Sequence, residues 1–148
     1  STLVHAYAAV NGQGMAGEIG FSTLGYGRQL EQDVSGPALE RKLQQRLLDE
    51  QSLPQLLVQA RPEVEMELAY VVERLGQLIT EYTYLLHPHC IVIGGGVMNA
   101  HHELIERIEQ YVVQQFHHLP LYKQQLPTIE GAIHKGDTGV KGALMLLL

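Results

Sequence analysis

Residues 87–97 read His-Pro-His-Cys-Ile-Val-Ile-Gly-Gly-Gly-Val, and they are the most informative segment of this 148-residue chain. Four apolar residues, 90–93, lie between Pro88 and a glycine run, which is typical of a short buried strand of a parallel sheet. Gly94, Gly95 and Gly96 follow that strand directly. Bare backbone therefore stands at the carboxyl end of the strand, where open α/β folds bind ligands.

The segments on either side of this strand are predicted to be helices. Upstream, apolar residues recur at three- and four-residue spacing from Pro62 onward, which predicts a long amphipathic helix that ends at His87 and Pro88. Downstream, the spacing predicts a helix over residues 100–117, a second core strand over 128–133 and a final helix from about residue 140. Helices that alternate with strands indicate an α/β fold with a parallel or mixed sheet and flanking helices.

The first third of the chain is predicted to hold a strand, a glycine-rich loop region and two helices. Residues 3–10 form an apolar run typical of a buried strand. Residues 12–36 contain seven of the fifteen glycines, and loop regions of this kind often carry sites. Ser35 is predicted to cap a helix that runs to about residue 48 with Pro37 in its first turn, and a shorter helix is expected over 53–60.

Composition excludes several classes of protein. Ten Lys and Arg against sixteen Asp and Glu give a net charge of −6, which disfavours nucleic-acid binding because phosphate contacts need a basic face. No apolar run approaches the roughly 20 residues of a membrane span, and no signal-peptide pattern is visible. The single cysteine, Cys90, excludes an internal disulfide. We therefore expect one cytoplasmic domain, and its start at Ser1 rather than Met indicates an excised piece.

The glycine run and two acidic segments are the candidate sites. The glycine run predicts either a nucleotide beside the backbone or only a tight strand-to-helix turn, and the local sequence favours neither. Glu18, in Gly-Glu-Ile-Gly, is placed to accept hydrogen bonds from two sugar hydroxyls, although a surface glutamate in a turn is the commoner case. Glu31 and Asp33 come just before the helix capped by Ser35, where the helix dipole already explains acidic residues.

The other reactive side chains form no catalytic or metal-binding pattern. None of the eight histidines makes the i, i+4 pair of a helical zinc site, and adjacent histidines on a helix point in different directions. Gly-x-Ser-x-Gly is absent, so no nucleophilic serine is indicated. Cys90 is predicted to be buried in its strand and inert.

Four motifs follow one another along the chain: Gly-Met-Ala-Gly-Glu-Ile-Gly at 14–20, Leu-Glu at 30–31 with Ser-Gly-Pro-Ala at 35–38, the stretch at 87–97, and Gly-Asp-Thr-Gly-Val-Lys-Gly-Ala at 136–143. In this order and spacing they resemble the C-terminal half of the ROK family (repressor, open reading frame, kinase). That family contains bacterial sugar kinases, such as glucokinases, fructokinases and N-acetylmannosamine kinases, and sugar-responsive repressors. The resemblance covers essentially the whole chain.

The resemblance implies an actin-like (ribonuclease H-like) ATPase fold and phosphoryl transfer from ATP, with Mg²⁺, to a hexose hydroxyl. Residues 1–148 would be the C-terminal lobe. The phosphate loop and the catalytic base of the family belong to the amino-terminal lobe, which this chain lacks. Because phosphoryl transfer needs those parts, the piece alone is expected to be inactive. A homodimer that binds sugar and ATP, and neither a membrane nor nucleic acid, is expected.

Site residues are implied by the same resemblance. The glutamates of the family that match Glu18 and Glu31 contact the sugar. The glycines that match Gly94, Gly95 and Gly96 lie beside the nucleotide. No residue of this chain is implied to be catalytic or to bind a metal.

This chain departs from the family at two places. Phe21 stands where the family usually has a histidine that serves as both sugar contact and zinc ligand. Residues 22–29 replace the cysteine-rich zinc loop and contain no cysteine, so a structural zinc is not expected. Phe21 leaves the sugar open, and a variant sugar or a β-glucoside with an apolar aglycone is conceivable.

Two other functions stay open beside the preferred sugar kinase. The chain could be the effector-binding half of a ROK repressor, which would carry a DNA-binding helix-turn-helix upstream. It could also be a fragment whose long helix, residues 64–86, mediates homodimerisation.

Overall fold

Six helices and two strands make up the part of the chain that the structure, a computed structural model, describes: residues 29–118 and 126–132. In chain order the elements are α1 (Leu30–Val34), α2 (Gly36–Leu47), α3 (Leu53–Leu57), α4 (Pro62–Leu86), β1 (Cys90–Ile93), α5 (Gly96–Ala100), α6 (Glu103–Gln115) and β2 (Thr128–Gly131). The predicted strand at 3–10 and the predicted helix from residue 140 lie outside the described residues.

The two strands form a parallel pair, as predicted. Cys90 lies opposite Thr128, and Ile93 lies opposite Gly131. β1 has the predicted bounds, whereas β2 ends two residues before the predicted end at 133. Parallel strands need a crossover connection, and helices α5 and α6 lie within it. The α/β prediction is therefore confirmed in the described part of the chain.

The burial of β1 differs from the prediction. Ile93 is buried and Ile91 is half-buried, but Cys90 and Val92 are exposed. Alternate side chains of a strand point to opposite faces of the sheet, and only the face with Ile91 and Ile93 joins the core. The prediction of a buried Cys90 is wrong because the described helices cover one face of the sheet only.

The long helix α4 is the centre of the core and has the predicted bounds. It packs against α2 on one side and α6 on another. Its buried apolar side chains are Val64, Leu68, Val71, Val72, Leu75, Leu78 and Ile79. The helix ends at His87, whose left-handed φ of 46° closes the last turn, and Pro88 cannot continue it.

Most of the large apolar side chains of residues 64–86, the helix that could mediate homodimerisation, are therefore buried inside the chain. On α4, the large apolar side chains that remain exposed are Met66, Tyr84, Leu85 and Leu86. The homodimer stays a prediction.

The helix boundaries differ from the predictions at several places. The helix predicted over 100–117 is α6, which begins at Glu103 and ends at Gln115, and the short helix α5 before it is not predicted. The chain leaves helical geometry between the two at His101, with φ −129° and ψ 72°. The Nδ1 atom of His101 lies 2.7 Å from Oε1 of Glu103, and this hydrogen bond lowers the pKa of Glu103. In addition, α1 lies inside the predicted loop region 12–36, and α3 ends three residues before the predicted end at 60.

The start of α2 is confirmed in detail. Ser35 is its N-cap, and the Ser35 Oγ atom accepts a hydrogen bond from the Ala38 amide at 3.3 Å. This satisfies one of the free amides of the first turn. Pro37 lies in that turn, where its missing N–H costs nothing.

Gly76 of α4 lies directly against the Tyr111 side chain of α6. A β-carbon added there would stand 2.3 Å from Cδ1 and 2.8 Å from Cγ of the Tyr111 ring. These atoms belong to the body of the ring, so the whole side chain would have to move. The glycine thus sets how near the two helices can lie.

We expect Gly76→Ala to lower the free energy of unfolding by about 1–3 kcal/mol, because overpacking outweighs the better helix propensity of alanine. Urea unfolding measures the change. In a double-mutant cycle, Tyr111→Ala should cost less in the Gly76→Ala background than in the parent protein. Equal costs in both backgrounds would contradict the steric account.

Candidate functional site

The glycine run forms the turn between β1 and α5, and Gly94 has a packing role in it. The amide of Ala132 donates to the Ile93 carbonyl at 2.9 Å, which holds the chain after β2 against the end of β1. A β-carbon on Gly94 would stand 3.2 Å from the Ala132 β-carbon, tighter than ordinary van der Waals contact. Close packing therefore accounts for Gly94.

Gly95 and Gly96 have different reasons to be glycine. Gly95 is the N-cap of α5 with φ 117° and ψ 163°, a region that is essentially restricted to glycine. Gly96 is the first residue of α5, and no described atom lies within 4 Å of a β-carbon added to it. Neither packing nor backbone geometry within the described residues accounts for Gly96. Its open backbone is the feature that favours a ligand over a mere turn.

Glu31 lies in the five-residue helix α1 and is half-buried. Its neighbours Leu30 and Val34 are buried and attach α1 to the core. The carbonyl of Glu31 accepts a hydrogen bond from the Ser35 amide at 3.3 Å, which closes α1 directly before α2 begins. Glu31 thus sits on a short helix whose position depends on its packing.

The carboxylate of Asp33 is the centre of a buried polar cluster that the sequence patterns do not reveal. Asp33 is 2% exposed. Its Oδ1 atom lies 2.9 Å from Lys42 Nζ, and its Oδ2 atom accepts from Tyr70 Oη at 2.6 Å and from Arg74 Nε at 3.1 Å. Lys42 belongs to α2, and Tyr70 and Arg74 lie one turn apart on α4. The helix dipole was the expected reason for an acid here, and the structure replaces it with these three donors.

We name Asp33, Lys42, Tyr70 and Arg74 the Asp33 cluster. Lys42 Nζ also donates to the main-chain carbonyl of Asp33 at 2.8 Å and lies 4.5 Å from the centre of the Tyr70 ring. Burial by itself would raise the pKa of Asp33. The hydrogen bonds from Lys42 and Tyr70, the charge of Lys42 and the bond from Arg74 outweigh burial and hold this pKa below its ordinary value.

A second ion pair joins α2 to α4 beside this cluster. Arg46 Nε lies 2.9 Å from Glu67 Oε1, and Lys42 Nζ lies 3.9 Å from Glu67 Oε2. Glu67 is 4% exposed, so its charge also needs these partners. Arg46 itself is exposed.

The structure brings the two candidate segments together. A β-carbon on Gly36, at the start of α2, would stand 3.8 Å from Val97 Cγ2, in the first turn of α5. The turn that follows Glu31 therefore lies against the helix that follows the glycine run. Glu18, Phe21 and the motif at 136–143 lie outside the described residues.

No cluster of three or more His, Cys, Asp or Glu side chains suited to a metal ion occurs within 29–118 and 126–132. A helix long and apolar enough to cross a membrane is likewise not found in that part of the chain.

Comparison with known proteins identifies the relatives of the chain. The sequence profile of the ROK family matches residues 6–148. No curated protein sequence matches the chain significantly. Three solved structures resemble the chain in fold, at sequence identities between 17% and 22%.

A ROK hexokinase from Thermus thermophilus is 22% identical, with a TM-score of 0.72 over 89% of this chain and 47% of that one. A ROK family protein from Streptococcus pneumoniae, in complex with sucrose, is 17% identical, with a TM-score of 0.70 over 88% of this chain and 47% of that one. A protein from Cytophaga hutchinsonii is 20% identical, with a TM-score of 0.71 over 93% of this chain and 50% of that one.

These matches confirm the predicted actin-like α/β fold. The chain spans about half the length of the solved structures that it matches.

We expect Asp33→Asn to lower the free energy of unfolding at pH 7 by at least about 2 kcal/mol, because Lys42 and Arg74 lose their buried counter-charge. The folded pKa of Asp33 lies below its ordinary value of 3.8. The stabilisation is therefore complete above that value and is lost as the pH falls through the folded pKa. Urea unfolding from pH 7 to pH 3 should show the variant and parent curves converging. A difference that is constant with pH would contradict this.

The two exposed glycines should respond differently to alanine. Gly95→Ala should lower the free energy of unfolding by about 1–3 kcal/mol, since alanine is strained at that φ and ψ. Gly96→Ala should leave it unchanged or raise it by up to about 1 kcal/mol, because alanine is favoured in a helix and no described atom would crowd its β-carbon. Thermal unfolding of the two variants measures both, and an equal loss would contradict the assignment.

Proposed function

The chain belongs to the ROK family, and from this premise we propose that it is the sugar- and nucleotide-contacting lobe of an ATP-dependent hexose kinase. One observation carries the proposal: the start of α2, which follows Glu31 by five residues, lies beside Val97, which follows Gly96, since a β-carbon on Gly36 would stand 3.8 Å from Val97 Cγ2. A kinase needs its sugar and its nucleotide to meet, and here the two candidate segments adjoin.

The residues of this chain would bind rather than carry out the chemistry. The carboxylate of Glu31 would accept hydrogen bonds from sugar hydroxyls, and that of Glu18 would do the same. ATP would supply the phosphoryl group, and Mg²⁺ would neutralise its phosphates. The nucleotide would lie against Gly95 and Gly96, where the described backbone leaves room for it. We assign no base to this chain.

Gly94 has a different place in this proposal. Its closeness to Ala132 keeps the ends of β1 and β2 together, so it shapes the turn rather than the ligand contact. Of the three glycines that the resemblance places beside the nucleotide, Gly96 is the one for which the described residues supply no other reason.

The effector-binding half of a sugar-responsive repressor is the second candidate, because the ROK family contains such repressors. A repressor would use Glu18 and Glu31 to bind sugar in the same way, and it would have no need of ATP. Dependence of activity on ATP therefore separates the two candidates.

We expect the full-length protein to consume ATP with at least one member of a panel of hexoses and hexose derivatives. Glu31→Gln and Glu18→Gln should each raise the KM for that sugar about 10- to 100-fold, because a hydrogen bond to a charged group contributes about 1.5–3 kcal/mol. A coupled assay of ADP release measures this.

Glu50→Gln is the matched control, since Glu50 is an exposed glutamate in the connection between α2 and α3. Gly96→Ala should raise the KM for ATP without loss of thermal stability. A protein that binds a sugar but releases no ADP with any of them would contradict the kinase and support the repressor.

A further inference from the structure

We propose that Asp33 is a positioning residue for Glu31, and that the Asp33 cluster sets the affinity of the sugar site by locking helix α1 in place. The inference rests on the proposed function, because it takes Glu31 to be a sugar contact. It adds residues from α2 and α4 that do not themselves reach the sugar: Lys42, Tyr70 and Arg74.

The first step concerns the helix itself. α1 has five residues, too few to form a stable helix without help, so tertiary contacts must define its position. α1 packs against α2 and α4. Leu30 and Val34 supply apolar contact, which is non-directional and permits small shifts and rotations. Directional bonds are needed to fix the remaining freedom.

The second step concerns how those bonds are arranged. Lys42 Nζ holds the main-chain carbonyl of Asp33 at 2.8 Å and its carboxylate at 2.9 Å, so one ammonium fixes both the backbone and the side chain at the end of α1. Tyr70 and Arg74 hold the other carboxylate oxygen from a second direction. Together they define the rotation of α1 about its axis as well as its distance from the core.

The third step concerns Glu31. Residues two apart on a helix differ by about 200° in direction, so Asp33 and Glu31 point to nearly opposite sides of α1. Asp33 points into the core, and half-buried Glu31 points away from it. A rotation of α1 that loosens the Asp33 bonds therefore moves the Glu31 carboxylate in the opposite sense. Displacement of such a contact by about 1 Å is enough to weaken binding strongly.

A purely structural role for the cluster would give a different result, and the chain offers a matched control. Arg46 pairs with Glu67 and ties α2 to α4 in the same interface, and Lys42 stays beside Glu67 and Asp33 when Arg46 is replaced. Loss of that pair should lower stability and leave Glu31 where it is. A change in the sugar site therefore separates positioning from stability.

The experiment compares Tyr70→Phe, Lys42→Met and the control Arg46→Gln in the full-length protein. Tyr70→Phe removes one hydrogen bond and keeps the ring, so it remains measurable if Lys42→Met fails to fold. We expect the KM for the sugar to rise about threefold for Tyr70→Phe and about tenfold for Lys42→Met, because a displaced Glu31 weakens its hydrogen bonds to the sugar without losing them, so each rise stays at or below that of Glu31→Gln. The KM for ATP should stay within about twofold of the parent in both variants, because neither variant removes a hydrogen bond to ATP. Loss of one such bond would change the KM by more than about twofold.

The outcomes distinguish a positioning role of the Asp33 cluster from a purely structural role, and both from failure of the proposed kinase function. Arg46→Gln should leave both KM values unchanged even if its melting temperature falls as far as that of Tyr70→Phe. Equal changes in the two KM values, or an unchanged KM for the sugar in Tyr70→Phe, would overturn positioning and leave the kinase standing. A parent protein that phosphorylates no sugar would overturn the proposed function, and the inference with it.

Discussion

The arrangement of the helices depends on one buried carboxylate. A charge withdrawn from water costs several kcal/mol unless donors replace the lost hydration, and Asp33 is 2% exposed. Its hydrogen-bond donors come from α2 and α4. These two helices can therefore pack against α1 only in positions where their donors reach the two carboxylate oxygens of Asp33. Apolar packing brings the helices together, and this requirement selects one arrangement among those that would bury a similar area.

Much of the fold follows from local patterns in the chain. The bounds of α4 come from a three- and four-residue apolar spacing between Pro62 and Pro88, and β1 lies between a proline and a glycine run. The Ser35 cap is also a local signal, since its partner amide is three residues away. Each of these features is decided by residues within a turn or two of one another, which is the range over which periodicity and capping act.

The features that the sequence does not predict depend on distant partners. Asp33 meets Tyr70 and Arg74 across 37 and 41 positions, and no spacing rule connects a carboxylate to donors so far along the chain. Helix α5 is not predicted, because the glycine run at its start is typical of a turn. The exposure of Cys90 depends on which face of the sheet the helices cover. At the candidate site, the structure distinguishes the three glycines by the Ala132 contact at Gly94 and by the positive φ of Gly95, and neither can be read from three identical residues.

The exposed Cys90 has a practical consequence for spectroscopy. It is the one cysteine in the sequence, and its thiol stands at the start of β1, four residues or about 13 Å of strand from the first of the glycines. A thiol-reactive fluorophore would therefore attach at a single position without any engineered cysteine. It would lie near enough to the far end of the strand for ligand binding there to alter its emission, and far enough away to leave that end unobstructed.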